Sequence, residues 1–240
     1  MSRKFNLDRD YYNEGYNLYK KKVVEINSGV TVLVGCNGIG KTTLLRQLKQ
    51  KLKSEGIPCL MFDNLTEGGS HAVEEAGFME DFAFIANAVQ SSEGENIVMN
   101  IANFAERVGE FVRDGMDSKQ KKKENLMKCL SAINGTNTVK EEKEILNERW
   151  ILFDAIDSGL SVDNIVDIKE QLFDTILKYN FGNKIYIVVS ANEYEMARGE
   201  KCFDVYNGKY VKIKDYEDYR NLVLQSKEWK IQRTKMKYRL

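Results

Sequence analysis

The chain has 240 residues, enough for one sizeable core or one core with a small appended subdomain. Its 42% hydrophobic and 30% charged residues exclude a disordered polypeptide and point to an ordinary globular one. The formal net charge is zero, which excludes global steering towards nucleic acid or anionic membrane and leaves such binding to local patches.

The opening Met1-Ser-Arg-Lys-Phe-Asn has no apolar stretch behind its charges, so it does not read as a secretory leader. Residues 30–34 are a β-branched run ending at Gly35, which predicts a buried strand. A helix over 41–53 follows, with Leu44, Leu45, Leu48 and Leu52 on one face. Residues 58–62 predict a short strand with the only proline, Pro58, at its start, where a missing N–H does least harm. Beyond a loop at 66–70, Phe78, Phe82, Ile85 and Val89 predict a helix over 72–89. Ile97, Ile101, Phe104, Val108 and Phe111 predict another over 96–112.

The segment 114–149 is charged and poor in large apolar residues, and reads as a peripheral, partly helical insertion. A strand at 150–153, a helix at 162–179 and a strand at 184–189 come next. Asn207-Gly208 suits a type I′ hairpin turn, and 215–240 reads as a basic, helix-like tail. Strands alternating with helices imply an α/β sheet core, and residues 1–240 read as a single domain. No apolar run reaches the ~18 residues of a membrane span. The four scattered cysteines, Cys36, Cys59, Cys129 and Cys202, suit reduced thiols, and a cytoplasmic location is expected.

Gly35-Cys-Asn-Gly-Ile-Gly-Lys-Thr42 matches the P-loop pattern at every fixed position and lies between a predicted strand and a predicted helix. A chance match in a chain of this length is on the order of one in a hundred, since Gly usage is only about 7%. Gly35, Asn37, Gly38 and Gly40 let the backbone fold around phosphate, and the helix N-terminus at Lys41, Thr42 and Thr43 adds positive potential. Lys41 is expected to reach the β- and γ-phosphates of ATP, and the Thr42 hydroxyl to bind Mg²⁺.

The variant Gly-x-Asn-Gly-x-Gly-Lys-Thr resembles the ABC class of P-loop ATPases, including its SMC- and RecF-like branch. Trp150-Ile-Leu-Phe-Asp-Ala-Ile-Asp-Ser-Gly-Leu-Ser161 resembles a Walker B strand running into a D-loop. The resemblance makes Asp154 a magnesium-shell ligand and, with Lys41, a catalytic residue. Ser158-Gly-Leu-Ser161 then faces an opposite protomer. Ser91-Ser-Glu-Gly-Glu95 resembles the ABC signature, whose Ser92 and Gly94 would bind the γ-phosphate of ATP held by the other subunit; it also reads as a capping box. The implied fold is a P-loop NTPase of ABC type with a partly helical insertion after the signature-like motif. Compact ATPases of this kind, without coiled arms, are common in phages and mobile elements.

The chain departs from that pattern. Ala155 stands where the catalytic Glu follows the Walker B Asp, and Ala191 stands near the place of the switch histidine, the only histidine being His71. No Q-loop glutamine is evident: Gln47 and Gln50 fall on the first helix, Gln90 abuts the signature, and Asp63 and Asn64 are weak substitutes. Asp157, Glu193 and Glu195 could take the base role, although each reads more readily as a solvated loop charge. Tyr11, Tyr12 and Tyr16 suit either adenine stacking or packing.

The resemblance implies an ATP-dependent head-to-tail homodimer with slow or impaired hydrolysis, serving DNA metabolism or a phage or mobile-element process. The alternative is a non-hydrolysing nucleotide switch or scaffold for a partner such as a nuclease. A GTPase is disfavoured, since Asn183-Lys184 is followed by Ile185-Tyr186 and not by x-Asp. From 227 to 240, Lys227, Lys230, Arg233, Lys235, Lys237 and Arg239 stand against only Glu228, with Trp229 and Tyr238 interleaved. That pattern suits nucleic-acid phosphates or an acidic partner, and equally a solvated helix that balances acidic segments elsewhere.

Overall fold

Alternation along each strand decides the architecture. The structure, a computed structural model, describes residues 2–12, 16–63, 93–133 and 147–238. Six strands form one sheet: β3 (Gly29–Val34), β4 (Cys59–Asp63), β5 (Glu148–Asp154), β6 (Lys184–Ser190), β7 (Lys201–Asp204) and β8 (Lys209–Val211). Their order is β4-β5-β6-β3-β7-β8, parallel except for the antiparallel pair β7–β8. The chain is therefore an α/β protein with a mainly parallel sheet.

Val30, Val32, Val34, Phe62, Ile151, Phe153, Ile187 and Val189 point to one face of this sheet, while Leu33, Met61, Trp150, Leu152, Tyr186 and Val188 point to the other. Both faces are apolar because both are covered, as parallel sheets require. On the second face lies α1 (Lys41–Ser54), with Leu44, Leu45, Leu48 and Leu52 fully buried. Beside it packs a two-stranded antiparallel sheet of β1 (Ser2–Asn6) and β2 (Val23–Asn27), which burial of Phe5, Val24 and Ile26 holds down. Trp150 stacks on Tyr186 at 4.0 Å and meets the Phe5 ring edge-on at 5.2 Å.

The first face carries α2 (Glu93–Asp114), whose Ile101, Phe104, Val108 and Phe111 are buried against it. Next comes a continuous helical run made of α4 (Val162–Asp167), a π-helical turn (Ile168–Phe173) and α5 (Asp174–Lys178). The short α6 (Tyr194–Ala197) and the long α7 (Tyr216–Tyr238) complete the layer. Within segment 114–149, α3 (Ser118–Ile133) is anchored at its start, where the fully buried Asp117 meets Arg107 at 2.7 Å and Gln120 donates to Cys59 O at 3.2 Å. The helix expected over 72–89 lies outside the described residues.

Two expectations change. The β7–β8 connection is not type I′, because Asn207 keeps a negative φ and only Gly208 is left-handed, at +62°. Asp204 pairs with Lys209 across a four-residue loop, and the Asp204 carboxylate accepts from Asn207 N, which rewards a turn two residues longer than Asn-Gly alone implies. The β1–β2 sheet had no sequence forecast, since its strands alternate only weakly.

Phe104 joins α2 to the sheet through ring contacts with Phe62 (5.1 Å) and Phe153 (5.5 Å). Phe104→Ala should therefore cost about 3–5 kcal/mol. A urea unfolding curve with an unchanged midpoint would show that α2 contributes little to the core.

Candidate functional site

The P-loop leaves β3 at Val34 and enters α1 at Lys41. Gly38 and Gly40 take left-handed backbone (φ +76° and +118°), and a Cβ on Gly40 would meet the Tyr19 ring at 3.1 Å, so only glycine fits there. Every carbonyl of the loop has a donor. Lys41 Nζ donates to Gly35 O (2.8 Å), Ile39 N to Cys36 O (3.2 Å), and Lys230 Nζ to Asn37 O (2.9 Å). Arg233 donates to Gly38 O (3.0 Å) and Ile39 O (3.3 Å), and Tyr19 OH to Gly40 O (3.0 Å). The sequence named neither Tyr19, Lys230 nor Arg233 for this task. Its only signal is a basic helix whose partners lie far upstream.

Asp154 ends β5, two strands away from the P-loop strand, and is only 3% exposed. Its Oδ1 accepts from Thr42 Oγ1 (3.0 Å) and from Ser190 Oγ (2.6 Å), at the end of the intervening β6. Ser190 Oγ in turn accepts from Ala155 N at 2.7 Å. These residues face a cavity of about 420 Å³ that is also lined by Tyr12, Tyr16, Asn37, Thr43, Asn192 and Arg233. Such a volume lies in the range of nucleotide-sized ligand sites.

Lys41 is 8% exposed. Burial lowers its pKa, and negative charge at Asp157 opposes that fall. The Gly35 carbonyl it bonds is a neutral acceptor that a phosphate oxygen could replace with gain. Thr42 and Asp154 offer two hard oxygens side by side. Mg²⁺ is commonly bound through one or two protein oxygens plus phosphates and waters, so this donor pair fits it. Among the described residues no cluster of three or more His, Cys, Asp or Glu forms a separate metal site.

Of the residues that the sequence singled out, Asn37, Gly38, Gly40, Lys41, Thr42, Thr43 and Asp154 line the cavity, and Gly35 supports it through Lys41. Gly94 lies in the first turn of α2. Ser92 lies outside the described residues. Tyr12 and Tyr16 reach the cavity, while Tyr11 packs edge-on against Tyr12 at 5.1 Å.

Asp157 is not the solvated loop charge it resembles. It is 0% exposed; Oδ2 accepts from Asn192 N (2.7 Å) and Glu193 N (2.8 Å), and Oδ1 has no partner among the described residues. Burial raises its pKa, against the two amide bonds. Ala155 adopts φ +52°, a strained value for a residue with a Cβ, and it too lines the cavity. Trp229 stacks on Tyr206 at 4.6 Å, so it packs within the chain and is not presented to bases.

No family model matches the chain, and no curated protein matches it. Solved structures similar to it include a nucleotide-free ATP-binding cassette from an ABC transporter, at 13% identity over 92% of this chain and 94% of the other, with a TM-score of 0.39. A second is the ADP conformation of an ATP-binding cassette of an ABC transporter, at 14% identity over 95% and 96%, with a TM-score of 0.43. Among the described residues no helix is long and apolar enough to cross a membrane.

Ser190 bridges the Asp154 carboxylate and the strained Ala155 amide. Ser190→Ala should cost about 1–3 kcal/mol by leaving both short of a partner. A urea midpoint equal to that of the parent chain would show that water replaces the hydroxyl without loss.

Proposed function

We propose that this chain is an ATP-binding ATPase of the ABC class, related to the SMC- and RecF-like branch, that acts as an ATP-dependent head-to-tail homodimer. The observation that carries this reading is the bond from Thr42 Oγ1 to Asp154 Oδ1 beside the cavity. It unites the P-loop with the acidic end of a buried strand 112 residues later, the pairing on which phosphate-bound magnesium depends. Lys41 supplies the phosphate contact, and α1 directs its positive N-terminus to the same place. When bound, Mg²⁺ would neutralise charge on the β- and γ-phosphates. The Ser92–Gly94 segment would serve the ATP of the opposite subunit. A cytoplasmic role in DNA metabolism, or in a phage or mobile element, suits the reading, with nucleic acid or a nuclease-type protein as partner. Lys227 and Lys235 remain exposed on α7 for such contact.

A second reading, a switch or scaffold that binds without turnover, is favoured by one observation. Ala155 and Ala191 supply no base at the cavity, and Ala191 is fully buried. General-base help is typically worth about 10²–10⁴-fold.

Three experiments test these readings. Lys41→Ala should lose most ATP affinity in a calorimetric titration while keeping the fold. Light scattering should show a doubled mass with Mg²⁺–ATP, which Ser92→Arg abolishes without preventing nucleotide binding. An unchanged mass would remove the dimer. Hydrolysis by the unaltered chain should be slow, and Ala155→Glu should raise it, since the left-handed backbone there already carries a Cβ and the new carboxylate would enter the cavity. Fast turnover without that substitution would assign the base to another group.

A further inference from the structure

One stripe of α7 runs against the P-loop. Ser226, Lys230 and Arg233 are spaced four and three residues apart and so share a helix face. Ser226 Oγ accepts from Cys36 N at 2.7 Å, Lys230 donates to Asn37 O, and Arg233 donates to Gly38 O and Ile39 O. Four consecutive loop residues are thus each held by one helix, about 190 residues downstream. Arg233 Nη1 also donates to Leu18 O at 3.2 Å, and its guanidinium carbon lies 5.4 Å from the centre of the Tyr16 ring.

Bracing the loop explains only part of this. The three acceptors of Arg233 are neutral carbonyls, and no carboxylate pairs with it among the described residues. A guanidinium carries five N–H donors, so two remain beyond those three bonds. Arg233 is half-buried and lines the same cavity as Lys41, Thr42 and Asp154, together with Tyr16 and Leu18. A charged fork with spare donors, in a cavity already built for phosphate, matches the geometry of phosphate oxygens.

We infer that Arg233 is a nucleotide ligand supplied in cis by α7, a second cation that binds the polyphosphate beside Lys41. The assignment rests on the proposed nucleotide site. It also makes α7 the element that registers occupancy, because phosphate oxygens and loop carbonyls share one side chain.

The test is calorimetric titration of the full chain with Mg²⁺–ATP, Mg²⁺–ADP and adenosine, for the parent, Arg233→Gln, Arg233→Lys and Lys41→Ala. Gln keeps N–H donors for the loop carbonyls and loses the charge. Arg233→Gln should weaken ATP and ADP by about tenfold or more, as expected for a lost charge-assisted bond. It should leave adenosine unchanged and flatten the salt dependence of ATP binding, while Arg233→Lys retains most affinity. Equal weakening of adenosine and ATP would make Arg233 a brace only and overturn the assignment. So would parental ATP binding by Arg233→Gln where Lys41→Ala loses it. If both variants bind ATP as the parent does, the nucleotide site itself falls, and the assignment with it. A measurement on the unaltered chain is independent of any variant's folding. Amide exchange over residues 226–235 should slow with Mg²⁺–ATP and not with adenosine, and unchanged exchange with ATP would overturn the inference.

Discussion

A carboxylate with no salt bridge among the described residues sits at the meeting point of three elements. Asp154 is nearly buried, and Oδ1 is served by two hydroxyls, Thr42 from the P-loop helix and Ser190 from β6. Burying an ionised group without a partner is expensive, so those hydroxyls are needed as donors. Satisfying them fixes the ends of β5 and β6 and the first turn of α1 relative to one another. It also leaves the carboxylate and the Thr42 hydroxyl as a ready pair of hard oxygens. Such a pair of oxygens fits a divalent cation that is also held by phosphates and waters.

The opposite wall obeys a different constraint. A loop that turns its amides towards a ligand turns its carbonyls towards the protein, and each of those must find a donor. Six successive carbonyls, from Gly35 to Gly40, do so, through Lys41, an internal turn, Lys230, Arg233 and Tyr19. The glycines permit the shape, and the donors select it. Basic residues of α7 that would pass for a solvated surface are therefore part of the loop's framework.

How much of this could be read from the sequence follows from how local each signal is. The P-loop, the strands at 30–34, 150–153 and 184–189, and the leucine face of α1 are contiguous patterns, and all appear where they were expected. Asp157 has the sequence signature of a solvated loop charge because its burial depends on the β6–α6 turn folding over it, a contact 35 residues away. Lys230 and Arg233 showed only as charge, since their partners lie more than 190 residues upstream. The π-helical turn within the 162–179 helix has no compositional mark at all. Asn207-Gly208 marked a turn correctly, but its type was set by the Asp204 carboxylate just outside the dipeptide.

The two constraints meet in α7. Its Tyr219 hydroxyl donates to Asn192 O at 2.8 Å, while Asp157 accepts the Asn192 amide, so the turn after β6 is pinned from both sides. Asn192 lines the cavity across which Lys230 and Arg233 hold the P-loop. One helix thus grips both walls, the phosphate loop near its C-terminal end and the post-β6 turn near its start. The two grips, at Tyr219 and Arg233, are separated by about 21 Å of one helix at 1.5 Å per residue. Asp157 tightens the turn further, for its buried Oδ2 accepts from both Asn192 N and Glu193 N.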